Sequence, residues 1–235
     1  MNTAAAIAVE NVWKFYGDYA ALRGISMEIR PGQCLALLGR NGAGKTTLLR
    51  ILAGRSQAEK GHVAIFGDDV RSSHTRHRIG VLGHSIGIYE EMSAIENLRL
   101  FGRLYGVERM DHAANQWLDR VGLATVSNGL VREFSRGMKQ RLAVARAFLH
   151  DPEVLLLDEP FTSLDDRAIG VLQTVLRDAI AAGKTVVMST HQLREALELA
   201  THVGLVNRGR LAFQGDRTPQ MLEDPGWLYR NFGES

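Results

Sequence analysis

The chain has 235 residues, 45% of them hydrophobic, enough to bury a substantial core yet short enough for one folded unit. The near balance of 28 Lys and Arg against 26 Asp and Glu excludes the large basic face that nucleic-acid binding demands. No apolar run approaches the roughly 20 residues needed to cross a bilayer, and the N-terminal MNTAAAIAVEN lacks the basic start and long apolar run of a signal peptide. The single cysteine, Cys34, has no partner for an internal disulfide and sits in the apolar run CLALL, where a small buried hydrophobe and a reducing, cytoplasmic setting are expected.

The first strand signal is ISMEIR, in which Ile25, Met27 and Ile29 alternate with Ser26, Glu28 and Arg30. That period of two marks a strand with one buried face and predicts an antiparallel sheet. QCLALLG, EVLLLDE and KTVVMST are instead short continuous apolar runs, as strands covered on both faces require. They predict the central parallel sheet of an α/β core. Directly after the first run comes GRNGAGKT, whose Gly39, Gly44, Lys45 and Thr46 fill the template G-x-x-x-x-G-K-[ST], followed by the helical TTLLRILAG. Gly39, Asn41, Gly42, Ala43, Gly44, Lys45, Thr46 and Thr47 are therefore the candidate nucleotide-binding loop. Its glycines let successive N–H groups curl around phosphate, the helix N-terminus adds its positive end, Lys45 reaches the β and γ phosphates, and Thr46 ligates magnesium. Further on, RSSHTRHRIG places His74 and His77 in a basic, polar setting that reads as a solvated loop, with no metal site beyond the magnesium accompanying ATP.

From about residue 86 to residue 150 helical patterns replace strand patterns, over 94–105, 111–121 and 135–150, predicting a helical lobe inserted into the core. At the start of the last of these, in FSRGMKQRLAVARAFL, Ser135 reads as an N-cap and Gly137 as a close-approach position, making a second anion site. VLLLDEP then delivers Asp158 and Glu159 to a strand end, the edge where ligands bind in an open α/β sheet. Asp158 suits holding magnesium through water, and Glu159 suits polarising the water that attacks the γ-phosphate. A helix over 167–182 is expected to stop at Gly183. His191 follows the strand KTVVMST, where it is either structural or a γ-phosphate contact. THVGLVNRG and RLAFQG predict a late hairpin, and 216–235 reads as a short, partly helical tail.

With these motifs in this order, nearly the entire chain resembles the ABC (ATP-binding cassette) ATPases. The family signature is usually Leu-Ser-Gly-Gly-Gln; Phe134, Ser135, Arg136, Gly137 and Met138 stand in those places, so three of the five differ while Ser135 and Gly137 are retained. The resemblance implies that those two meet the γ-phosphate bound on an opposite subunit. Tyr16 in KFYGDYAAL resembles the aromatic that stacks on adenine, Ser163 to Asp165 resembles the D-loop, and His191 resembles the switch histidine. The implied fold is α/β, a P-loop NTPase (RecA-like) core with an antiparallel β subdomain and an inserted helical subdomain. One ABC ATPase domain would span 1–235, with a core of about 1–85 and 151–215, a helical lobe of about 86–150 and a tail of 216–235.

One position departs from the family pattern: counting back from MSAIENL places His84 where a glutamine is usual. Imidazole suits a hard magnesium ion poorly, so Thr46, phosphate oxygens and waters anchored by Asp158 are expected to hold the metal, and protonation of His84 is expected to slow turnover. His84 together with DEPFTSLD and STHQL looks most like the ATP-binding subunit of the haem exporter of cytochrome c maturation. The resemblance implies hydrolysis of ATP to ADP and phosphate, with Lys45, Glu159 and His191 catalytic and Mg2+ as cofactor. It also implies a second ATP-binding subunit, integral membrane permease subunits, no nucleic acid, and a peripheral place on the cytoplasmic face of the cell membrane. An exporter of another substrate, or a soluble ABC ATPase of the iron–sulfur assembly type, is the alternative.

Overall fold

The computed structural model describes residues 5–83, 87–162 and 164–233, and only the backbone of Arg167. Two long strands, β1 (Ile7–Tyr16) and β2 (Tyr19–Ile29), open the chain, and β3 (Cys34–Leu38) then runs into α1 (Lys45–Leu52). Next come β4 (Lys60–Ile65), β5 (Asp68–Asp69), α2 (Ser73–His77) and β6 (Ile79–Leu82). A helical stretch follows, α3 (Ala94–Leu104), α4 (Met110–Arg120) and α5 (Arg136–Phe148). The chain then alternates β7 (Val154–Asp158), α6 (Asp166–Ala181), β8 (Thr185–Ser189) and α7 (Leu193–Leu199), and ends with the hairpin β9 (His202–Asn207) and β10 (Arg210–Asp216) and the tail helices α8 (Pro219–Glu223) and α9 (Trp227–Phe232).

The strands form two sheets. One is antiparallel in the order β2-β1-β4-β5, and the other is six-stranded in the order β10-β9-β3-β8-β7-β6. In β2 Ile25, Met27 and Ile29 are buried while Ser26 and Glu28 are exposed, as the alternation predicts. In the larger sheet β9, β3, β8, β7 and β6 run parallel and β10 closes one edge antiparallel. Every residue of β3, β7 and β8 is buried, because both faces of this sheet are covered.

Side-chain alternation along those strands divides the interior in two. Cys34, Ala36, Leu38, Leu155, Leu157, Val186 and Met188 face the core shared with α5 and α6, whereas Leu35, Leu37, Val154, Leu156 and Val187 face α1 and the antiparallel sheet. Each fully buried Leu or Val contributes about 1.5–3 kcal/mol relative to exposure, so burial on both faces anchors the sheet that carries the site edge. Burial pushes the Cys34 thiol up to about 12, which leaves it an inert small hydrophobe.

Helix starts follow local chemistry. Ser93 and Glu96 form a reciprocal capping box at α3, the Ser93 N–H donating to Glu96 Oε2 at 2.8 Å. The RSSHTRHRIG run corrects its sequence reading as a loop: Ser72 caps α2 by accepting from the Thr75 N–H at 3.0 Å, and the following residues enter β6. His74 and His77 remain solvent-exposed on that short helix. Among the described residues no group of three or more His, Cys, Asp or Glu is placed to hold a metal ion. No helix there is long and apolar enough to cross a membrane.

Candidate functional site

The site is built at the carboxyl edge of the parallel sheet. The pairing of β3 with β9 ends at Leu38↔Leu205, and the chain leaves the sheet at Gly39. It turns through Gly42 (φ 78°) and Gly44 (φ 110°) into α1. A Cβ on Gly44 would stand 2.7 Å from the Ala21 carbonyl oxygen, so only glycine lets the loop lie against β2. The Lys45 side chain is buried and curls back over the loop, its Nζ donating to the carbonyls of Gly39 at 2.7 Å and Arg40 at 3.3 Å. Burial lowers its pKa, and the carboxylates of Glu159 and Asp158 act against that shift. Among the described residues this ammonium hydrogen-bonds to neutral carbonyl oxygens, which leaves its charge able to attract anionic phosphate.

Across from the loop, Asp158 ends β7. Its buried Oδ1 accepts from Thr46 Oγ1 at 3.0 Å and Ser189 Oγ at 2.5 Å, which joins α1, β7 and β8 at one oxygen. A threonine hydroxyl and a carboxylate in contact at the end of a phosphate loop are hard oxygen donors, and they fit magnesium. Glu159 follows with a left-handed backbone, φ 53°, and its N–H donates to the Ser189 carbonyl at 2.8 Å. A non-glycine residue in that region is strained by about 1–3 kcal/mol, and such strain concentrates at functional sites. The turn aims consecutive acids differently: Asp158 reaches Thr46, while Glu159 Oε2 lies 2.9 Å from His191 Nδ1 and 3.3 Å from the His191 backbone nitrogen.

Tyr16, Asn41, Gly42, Ala43, Gly44, Lys45, Thr46, Thr47 and Glu159 line one cleft of about 460 Å³. That is within the size range of small-molecule sites. Sequence reasoning missed Tyr19, which lines the same cleft with its hydroxyl 3.4 Å from the Gly42 carbonyl. It also missed Ser189, because a serine closing an apolar strand carries no signal of the acid it will meet.

Other expected residues lie apart. Ser135 caps α5, accepting from the Met138 N–H at 3.2 Å, and it stands exposed with Gly137 beside it. Neither lines the cleft. Asp165 caps α6, accepting from the Ala168 N–H at 2.8 Å. His84 and Ser163 lie outside the described residues. Arg146 of α5 donates to the carbonyls of Val81, at 3.2 Å, and Gly87, with its guanidinium 5.0 Å from the Phe101 ring centroid.

The fold and this cleft define a phosphate-loop ATPase, and comparison with known proteins gives its kind. The ABC transporter family model matches residues 22–162, and the chain belongs to that family. It is an ABC-type ATPase and an ATP-binding subunit. It is 38% identical over 215 residues to the Nod factor export ATP-binding protein I of Cupriavidus metallidurans, covering 90% of this chain and 71% of the relative. It is 39% identical over 225 residues to the daunorubicin resistance ATP-binding protein DrrA3 of Streptomyces coeruleorubidus, covering 94% and 71%. Among solved structures, an ATP binding subunit of an ABC transporter superposes with a TM-score of 0.85 at 26% identity, over 97% of this chain and 93% of that one. A dimeric ATP-binding cassette in a post-hydrolysis state bound to ADP and Pi gives 0.83 at 24% identity, over 90% and 99%, a likeness of fold.

Proposed function

We propose that this chain is the motor subunit of an ABC exporter, hydrolysing ATP to drive separate membrane-spanning subunits from the cytoplasmic face of the membrane. The observation that carries the chemistry is the position of Glu159, held by His191 on the rim of the cleft that Lys45 and the phosphate loop line. In this reading the loop N–H groups and Lys45 hold the phosphates, Tyr16 stacks on adenine, and Glu159 polarises the attacking water. His191 keeps the carboxylate turned toward that water and contacts the γ-phosphate. Magnesium, held by Thr46 and through water by Asp158, would neutralise charge on the phosphates.

The same reading divides the chain into a nucleotide-binding core (about 1–85 and 151–215), a helical lobe (about 86–150) and a tail (216–235). It assigns Ser135 and Gly137 to the site of a second copy, since Ser135 is exposed at the N-cap of α5, Gly137 is partly exposed in its first turn, and neither lines the cleft. A dimeric solved cassette of the same fold supports that arrangement. Export is supported by the names of the relatives, which are Nod factor export and daunorubicin resistance proteins. Haem as the cargo draws no support from them, and the proposal stops at export. They also favour transport over a soluble iron–sulfur assembly role.

A mixing experiment tests the shared site. Lys45→Ala spoils the loop and Ser135→Arg spoils the signature, and each alone should be inactive. In a mixed two-fold dimer one site combines the intact loop of one chain with the intact signature of the other, so an equimolar mixture should recover up to about a quarter of parent activity. A mixture as inactive as its components would remove the second subunit from the chemistry.

A further inference from the structure

The backbone N–H of Gly39 poses an accounting question. It lies one residue beyond the last β3–β9 pair, Leu38↔Leu205, in a buried position, so the parallel ladder no longer supplies an acceptor. Its partner comes from the far end of the chain: Gly39 N–H donates to the Tyr229 hydroxyl at 3.0 Å. The carbonyl of the same residue accepts from Lys45 Nζ at 2.7 Å. The residue on which the catalytic lysine rests is therefore held on its other side by a phenol of α9.

The tail is fixed well enough to exert that hold. Leu228 is fully buried, Phe232 packs on Phe213 with centroids 4.8 Å apart, and Asn207, at the end of β9, donates from Nδ2 to the Gly233 carbonyl at 3.0 Å. Strand β9 also presses on the loop directly, since a Cβ on Gly39 would come within 2.5 Å of the Val206 carbonyl oxygen. Burial raises the Tyr229 pKa, so the phenol stays protonated and neutral around pH 7.

We propose that Tyr229 is a positioning residue for nucleotide binding: through Gly39 it fixes the phosphate-loop peptide against which Lys45 is set, so the C-terminal helix controls the affinity of the site. The inference rests on the ATPase reading of the cleft and adds to it an element outside the phosphate-loop motif. It acts on binding, because neither Glu159 nor His191 bonds to the phenol.

The test compares parent, Tyr229→Phe and Phe232→Leu as full-length chains, measuring Mg-ATP dissociation constants by calorimetry, steady-state kcat and KM, and thermal midpoints without nucleotide. Losing one neutral hydrogen bond should weaken ATP binding about three- to tenfold in Tyr229→Phe and raise KM in step, with kcat within about twofold. Phe232→Leu keeps the phenol while thinning the contact with Phe213, and it should change affinity less than Tyr229→Phe. An unchanged dissociation constant in Tyr229→Phe, whatever its thermal midpoint, would reduce the phenol to a folding contact and overturn the proposal. An equal loss in both variants would assign the effect to tail packing and overturn it too. A parent that binds no ATP would instead refute the reading of the cleft itself.

Discussion

Replacing Glu159 by glutamine isolates the chemical step. The side chain is only 17% exposed, its backbone is left-handed at φ 53°, and Oε2 faces both the ring and the N–H of His191. Glutamine keeps the length, the backbone demands and an oxygen for the His191 N–H, so the fold and the turn should survive. What disappears is a carboxylate able to polarise water. Loss of a positioned base typically lowers the rate by about 10²–10⁴, which is about 2.7–5.5 kcal/mol of barrier. Binding should move the other way: with one of the two acids beside Lys45 removed, the cleft repels triphosphate less, and affinity for Mg-ATP should equal or exceed that of the parent. Phosphate release over time gives kcat, and calorimetric titration gives the dissociation constant. A fall in kcat of less than about tenfold would remove Glu159 from the role of base. A comparable loss of ATP affinity would show that the carboxylate organises the loop.

Gly44→Ala should cripple nucleotide binding, because at φ 110° its Cβ would stand 2.7 Å from the Ala21 carbonyl oxygen and 2.8 Å from Leu22 Cδ2. Strain of about 1–3 kcal/mol should lower the thermal midpoint by several degrees and weaken ATP binding about tenfold or more; parent-like titration would contradict the geometry. His150 predicts an acid limb in stability. Burial lowers its pKa to about 4, its Nε2 lies 3.2 Å from the Ile79 carbonyl, and Nδ1 is buried without a partner among the described residues, so protonation would add an N–H with no acceptor among them. Because the unfolded histidine titrates near 6.5, the unfolded chain binds the extra proton first, and stability should fall from about pH 6.5 to about pH 4 by on the order of 3 kcal/mol and then level off for this group. Urea midpoints of parent and His150→Gln across that range should converge on acidification, and parallel curves would refute the assignment.

Much of the molecule was written locally in the chain. The apolar runs of β3, β7 and β8 announced a sheet buried on both faces, ISMEIR announced a one-sided strand, and GRNGAGKT specified its loop, because period, glycine placement and capping are properties of neighbouring residues. The helices at 94–104, 110–120, 136–148 and 166–181 were visible to within a residue or two for the same reason. Hidden were features with weak local pattern or remote partners. The four-residue β6 is too short to show a period, and the five-residue helix before it is fixed by the Ser72 cap and its hydrogen bond with Thr75 and not by an apolar period. Which serine would meet Asp158, that Tyr19 would join Tyr16, and that Tyr229 would reach Gly39 across 190 positions were decided only by folding. Sequence names the groups able to do chemistry, but contact between distant groups depends on how the strands order themselves in the sheet, and burial of side chains far apart in the chain sets that order.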